Sequence, residues 1–322
     1  MQNASAICIA GRRDLRLAPE QKITYNYSMA DVKYRRRFGD RYDGRRLRSL
    51  SPFYQITPFI MRTRVDAQDY FEDKIYIEQA ENWLRSLRDR GNPDIGILHL
   101  FIAVLVRAFS QKPRINRFVA GQRIYSRNTI QITLAIKKRL HEDGLETTLK
   151  MEFGPRDTIF DVAEKVNRAI AENRDTGTSN ETDKTAKLFM FFPRALLRSA
   201  IAGLRILDYY GLLPKAIHDA SPFHTGAFIT DLGSLGIKPI YHHIYDFGTT
   251  SLFLAFGKKE RELFLGPDGS VGTRKYIPIK VVNDERICDG HYYAAAFKYI
   301  RNLFQHPEIL EESPETVVAD IE

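Results

Sequence analysis

Apolar residues recur along this chain with two periods, and the switches between them mark out its elements. After Pro93-Asp94, residues Ile97, Leu98, Phe101, Ile102, Leu105 and Ala108 fall at helical spacing until Pro113 stops the run. Strict alternation then takes over. Ile130, Ile132, Leu134 and Ile136 point one way with Gln131 and Thr133 the other, and Leu149, Met151 and Phe153 repeat the pattern. Asp157-Thr158 opens an amphipathic helix with Ile159, Val162, Val166 and Ile170 inward. Apolar strand segments follow at Ala227-Phe228-Ile229, Ser251 to Phe256 and Tyr276 to Val282. A last helix, Tyr292 to Phe304, carries Ala295, Ala296, Tyr299, Ile300 and Leu303 on one face. Nearer the N-terminus, Ser51-Pro52 and Thr57-Pro58 punctuate a β-leaning segment at Phe59-Ile60-Met61. A helix is expected from a cap near Asp66 to about Arg90, ending at Gly91-Asn92-Pro93. Strands and helices mixed in this way, with no repeat or linker, predict a single α/β domain over 51–322.

One apolar stretch is ambiguous. Lys187, Arg194, Arg198 and Arg205 share a narrow stripe of a helix whose other faces are Leu, Ile, Ala and Phe, just after a polar loop at Arg174 to Thr185. A membrane-surface helix and a core helix with one wet edge both fit, and the core helix is the expectation. The region Leu188 to Ile217 does not read as a membrane span, because Pro193 breaks it and Arg194, Arg198, Arg205 and Asp208 interrupt it.

Composition changes this picture in two ways. The net charge of +8 is concentrated in residues 1–48, which hold twelve Lys or Arg against five Asp or Glu, so the rest is close to neutral. The run from Lys33 to Arg48 therefore reads as part of a basic N-terminal arm, 29–50, solvated, wrapping a neighbouring subunit or contacting an anionic partner, and not as a basic face of the whole fold. Residues 1–28 show no periodicity and are expected to be disordered or not native, with Met29 as an alternative start. The two cysteines, Cys8 and Cys288, supply neither a disulfide framework nor a zinc site, which fits a cytoplasmic protein without a metal.

The candidate chemistry lies ahead of the last helix, in Asp284-Glu285-Arg286-Ile287-Cys288-Asp289-Gly290. This segment resembles the His-x-x-x-Asp-Gly signature of the chloramphenicol acetyltransferase and dihydrolipoyl acyltransferase superfamily, with Glu285 at the His position. Further segments follow the order found in the acyltransferase domain of 2-oxoacid dehydrogenase complexes. They are Pro58 to Asp66, Lys112-Pro113-Arg114-Ile115-Asn116, Phe228 to Gly236, Ser251 to Gly257 and His306 to Leu310. In the Phe228 to Gly236 strand-turn, Thr230 stands at the family's Ser position and Asp231 at its Asn.

The resemblance implies a two-layer α/β fold with a mixed sheet packed by helices, a homotrimer with active sites between subunits, and a coenzyme A thioester as co-substrate. Small-molecule acyl donors and acceptors would be its partners. With no lipoyl domain and no alanine-proline linker, the chain is expected to be a free-standing catalytic domain.

In the family the His takes a proton from the attacking thiol or hydroxyl, and a Ser or Thr hydroxyl stabilises the oxyanion. Thr230 would be that donor here, and Asp289 would orient the loop through an ion pair with an arginine. Gly290 would permit the turn into the last helix. A carboxylate at Glu285 can accept a proton, but its ordinary pKa of about 4.3 matches a thiol of about 8.5 poorly unless burial raises it. The alternative is a structural acid paired with an arginine in an inert channel. The protein would then be a catalytically degenerate homologue, a trimeric binding or scaffolding protein. Cys288 reads as a small buried hydrophobe. His242, His243 and His291, the histidines nearest these motifs, read as packing or surface residues.

Overall fold

The computed structural model describes residues 36–137, 146–175 and 193–321. Residues 1–35, Lys187 and most of the loop expected from Arg174 lie outside this range.

The alternating segments assemble into one mixed sheet. β2 (Gln68–Tyr76), β5 (Ile130–Lys137), β6 (Glu146–Phe153), β7 (Ala227–Asp231), β8 (Leu252–Phe256) and β10 (Val271–Asp284) lie in the order β2-β10-β8-β7-β5-β6, and β9 (Glu260–Leu265) pairs with the start of β10. The centre is parallel, with β7 between β5 and β8. β10 runs antiparallel to β8, β9 and β2. β7 and β8 are buried on both faces, as their unbroken apolar runs require.

Helices cover one face. These are α2 (Glu78–Asp89), α3 (Ile97–Gln111), α4 (Ile159–Asp175) and α7 (Gly290–Gln305). α3 is buried from His99 to Ser110, so it is the centre of the helical layer and not a surface helix. Phe101 on α3 stacks on Phe256 of β8 at 4.2 Å and meets Phe304 of α7 at 4.8 Å, which ties both layers into one core. On the opposite face Phe228, Phe253 and Val282 form a smaller cluster with Ile244, which belongs to the irregular connection between β7 and β8.

The N-terminal region differs from the expected pattern. Phe59 and Ile60 end a helix, α1 (Pro52–Ile60), which Pro52 can start because the first helical position needs no backbone donor. The helix expected from Asp66 begins only at Glu78. Residues 68–76 form β2, whose nine residues all pair with β10. Its sequence is polar because Ile75 alone is fully buried, and this masked the strand period.

Residues 40–50 are not an extended arm. β1 (Gly44–Arg46) joins a small sheet with β4 (Arg123–Arg127) and β3 (Arg117–Ala120), in the order β1-β4-β3. Gly44 lies so close to the Phe118 ring that a Cβ would come within 2.5 Å of it. The arginine stripe falls on α5 (Arg194–Tyr209), which is followed by a short helix, α6 (Lys215–Ala220). α5 is not a core helix: Asp208 is its one fully buried residue.

Candidate active site

The loop from β10 to α7 is fixed from several sides. Asp284 is completely buried and takes two hydrogen bonds from Arg286, Nε to Oδ1 and Nη2 to Oδ2, both at 2.7 Å. Arg286 also donates to the Met61 carbonyl at 3.0 Å. A second buried guanidinium, Arg64, has its Nε 4.0 Å from Asp284 Oδ2. Burial, opposed by Asp284 but reinforced by Arg286, lowers Arg64 to a pKa of about 10. Arg117, paired in the interior with Asp320, donates to the Ile287 carbonyl at 3.1 Å. The loop is therefore set by groups from three separate parts of the chain, 61–64, Arg117 and, through Arg117, Asp320.

Two candidate residues sit on this framework. The backbone N–H of Glu285 donates to the Ala67 carbonyl at 2.8 Å, while its side chain faces outward. Partial burial, then the neighbouring carboxylates of Asp69 and Asp284, push the Glu285 carboxyl above its ordinary value. Asp289 caps α7, accepting from the Tyr292 N–H at 2.8 Å, and also accepts from the Tyr54 hydroxyl at 3.1 Å. The Tyr292 bond leads the causes that hold Asp289 below the ordinary carboxylate range. Among the described residues Asp289 makes no ion pair, so the arginine partner of this loop belongs to Asp284 instead. Gly290 is the first residue of α7, and a Cβ there would touch nothing within 4 Å. The turn therefore does not demand a glycine. Burial raises the Cys288 thiol to about 12, so it stays protonated and acts as a packing residue.

Thr230 lies elsewhere. It pairs across the sheet with Ala255, and Ala255 with Lys280. Lys280 precedes Glu285 by five residues, so Thr230 and Glu285 stand about 17 Å apart along the strand direction, towards opposite ends of the sheet. Thr230 shares the face of Phe228 and is buried. Its neighbour Asp231 closes the following turn, accepting from the Ser234 N–H at 2.9 Å, and Gly236 adopts a left-handed φ of 73°.

No protein-family model and no curated protein matches the chain. Solved structures do. A probable dihydrolipoamide acetyltransferase from Listeria monocytogenes matches with a TM-score of 0.53 and 13% identity, over 82% of this chain and 95% of that one. The dihydrolipoamide acetyltransferase of Azotobacter vinelandii gives 0.53 and 12%, over 80% and 88%. The cubic core of the pyruvate dehydrogenase multienzyme complex gives 0.52 and 13%, over 80% and 87%. The fold is that of the dihydrolipoamide acetyltransferase catalytic core. Identities this low carry the fold and not the chemistry.

On the acetyltransferase fold, the β10–α7 loop brings Glu285 and Asp289 to one end of the sheet, and a single chain does not bring Thr230 to them. His242 stacks on Phe253 at 4.4 Å while His243 meets Tyr245 edge-on at 4.6 Å, so the adjacent pair faces two ways. His291 is exposed at the start of α7. No metal-holding group of side chains occurs among the described residues.

The sequence reading missed a buried ionic cluster behind the small sheet. Arg41 donates to Asp43 at 2.8 Å and to Asp208 at 2.7 Å. His218 Nε2 lies 3.1 Å from Asp43, and His224 Nε2 lies 3.4 Å from Asp208. Burial depresses His224 to about 4, against the pull of Asp208. It likewise lowers Lys150, which donates to the His218 carbonyl, to about 8. Beside this cluster, a cavity of about 240 Å³ is lined by Arg62, Arg64, Arg205, Arg286, Asp208 and Asp246 among others. The separate appearance of His218 and His224 in the sequence gave no hint of it, because their partners come from distant segments.

Proposed function

We propose that this protein is an acyltransferase acting on acyl-CoA or a related acyl thioester, with Glu285 as general base in a homotrimer. Glu285 would take the proton from an acceptor thiol or hydroxyl as that atom attacks the thioester carbonyl. The tetrahedral oxyanion would collapse by expelling the CoA thiolate, which recovers the proton. Thr230 would donate to the oxyanion from an adjacent copy, since about 17 Å along the strand separates it from Glu285 within one chain. An assembly is in keeping with α1, which leaves Phe53, Ile56, Phe59 and Ile60 exposed.

The observation that carries the reading is the state of Glu285. It projects from a loop whose own acid, Asp284, is paired with Arg286, and its carboxyl is raised above its ordinary value. Glu285→Gln keeps the shape and removes the base. Transfer from acetyl-CoA to a dithiol acceptor, followed by release of free CoA thiol, is expected to fall roughly 10²–10⁴-fold with the oligomer intact by sedimentation. Equal rates in the variant and the parent, or no transfer by the parent, would rule the proposal out.

A catalytically silent trimeric binding protein is the second reading. It is favoured by the cavity of about 240 Å³, whose lining includes Arg286 but not Glu285. CoA retained on purification without turnover would identify it.

A further inference from the structure

α5 presents to the outside a surface that a protein core would bury. Leu196 is 51% exposed, Ile206 59% and, just past the helix end, Tyr210 69%. At 100° per residue these three share one outward sector with Ala195, Ala202, Leu207, Ser199 and Gly203, while Arg194, Arg198 and Arg205 lie within about 40° of one another along its edge. From Lys184 to Leu207 the sequence carries five Lys or Arg and no Asp or Glu. Such a segment combines an apolar face with a single sign of charge.

Three of the described N-terminal arginines are placed differently. Arg41 is held by Asp43 and Asp208, Arg48 by Asp40, and Arg45 by the carbonyls of Asp320 and Ile321. Their charge is used inside the molecule. On α5, Arg194 and Arg198 are exposed while Arg205 borders the cavity beside the buried cluster, and no described helix is long and apolar enough to cross a membrane.

We infer that α5 is a peripheral membrane anchor that lies in the plane of an anionic phospholipid surface. Its apolar sector would enter the headgroup–acyl boundary by about 5–10 Å, with Arg194 and Arg198 at the level of the phosphates. Tyr210 suits that boundary, since it has an apolar ring and a polar tip. Charge complementarity favours an anionic lipid surface, because Lys184 to Leu207 carries basic residues and no carboxylate, and two copies meeting antiparallel would bring arginine stripes together. Each arginine near the surface contributes about fivefold to partitioning. The inference is independent of the role of Glu285.

The test is co-flotation of the full chain with vesicles of phosphatidylcholine alone or mixed with phosphatidylserine, at low and high salt. Binding to the mixed vesicles that salt weakens is expected. Leu196→Asp combined with Ile206→Asp alters two exposed side chains, and should lower binding roughly 100-fold with the helical circular dichroism signal unchanged. Arg194→Glu with Arg198→Glu should weaken binding to the mixed vesicles by at least about 20-fold, and much less to phosphatidylcholine. Three results would overturn the inference. The parent chain could fail to float with mixed vesicles. The double-aspartate variant could bind as well as the parent, which would place binding on another basic segment. A changed oligomeric state of that variant in lipid-free light scattering would make the sector a contact between copies.

Discussion

Asp43→Asn tests whether residues 40–50 belong to the body of the protein. The substitution keeps the shape of the side chain and one acceptor oxygen but removes its charge. In the parent, Asp43 lies between Arg41 Nε at 2.8 Å and His218 Nε2 at 3.1 Å, and Arg41 is almost wholly buried. Breaking a buried pair by removing one partner costs about 3–5 kcal/mol, because the remaining charge is left without compensation. Asp208 still holds Arg41 at 2.7 Å, so the lower end, about 3 kcal/mol, is the expectation. For a chain of this size that corresponds to a fall in Tm of roughly 4–5 °C. Urea and thermal unfolding of parent and variant measure it. Combining the substitution with Arg41→Met should cost less than the sum of the two single changes, because they share a partner. A loss under about 1 kcal/mol, or strict additivity, would mean that the segment is only loosely attached and that the buried cluster does not hold it.

Two further outcomes follow from the titrating groups. His224 is held near 4, below the ordinary 6.5, so between these values the unfolded chain takes up a proton that the folded chain refuses. Stability should therefore fall as pH drops from about 6.5 to 4, by about 3 kcal/mol in total, and His224→Gln should flatten that slope in urea titrations. A variant with the parent's slope would refute the assignment. At the proposed active site, Asp69→Asn removes one of the carboxylates that raise Glu285. The acid limb of kcat/KM should then move to lower pH, while an unmoved or oppositely moved limb would dissociate Asp69 from the base.

The sequence alone determined the elements with long, regular apolar periods. α3, α4, β5 and α7 appear where their spacing places them, since each buries enough apolar surface to fix its own conformation. The place of the segment ahead of α7 was legible from the strand and helix on either side of it, but Asp289, expected to pair with an arginine, instead caps the helix. β2 was not legible. An edge strand with polar residues on both faces gains its conformation from nine pairings with β10, about two hundred residues away in the chain. The buried cluster was hidden in the same way, since Arg41 and Asp208 are 167 residues apart and Asp43 and His218 are 175 apart. The sequence showed that the α5 helix had an apolar face and a basic stripe, but both a core and a lipid surface fit that pattern. Only the tertiary structure set the core reading aside, by leaving Leu196, Ile206 and Leu207 exposed. It also set Thr230 and Glu285 at opposite ends of the sheet, a separation fixed by strand register and invisible in the residues themselves.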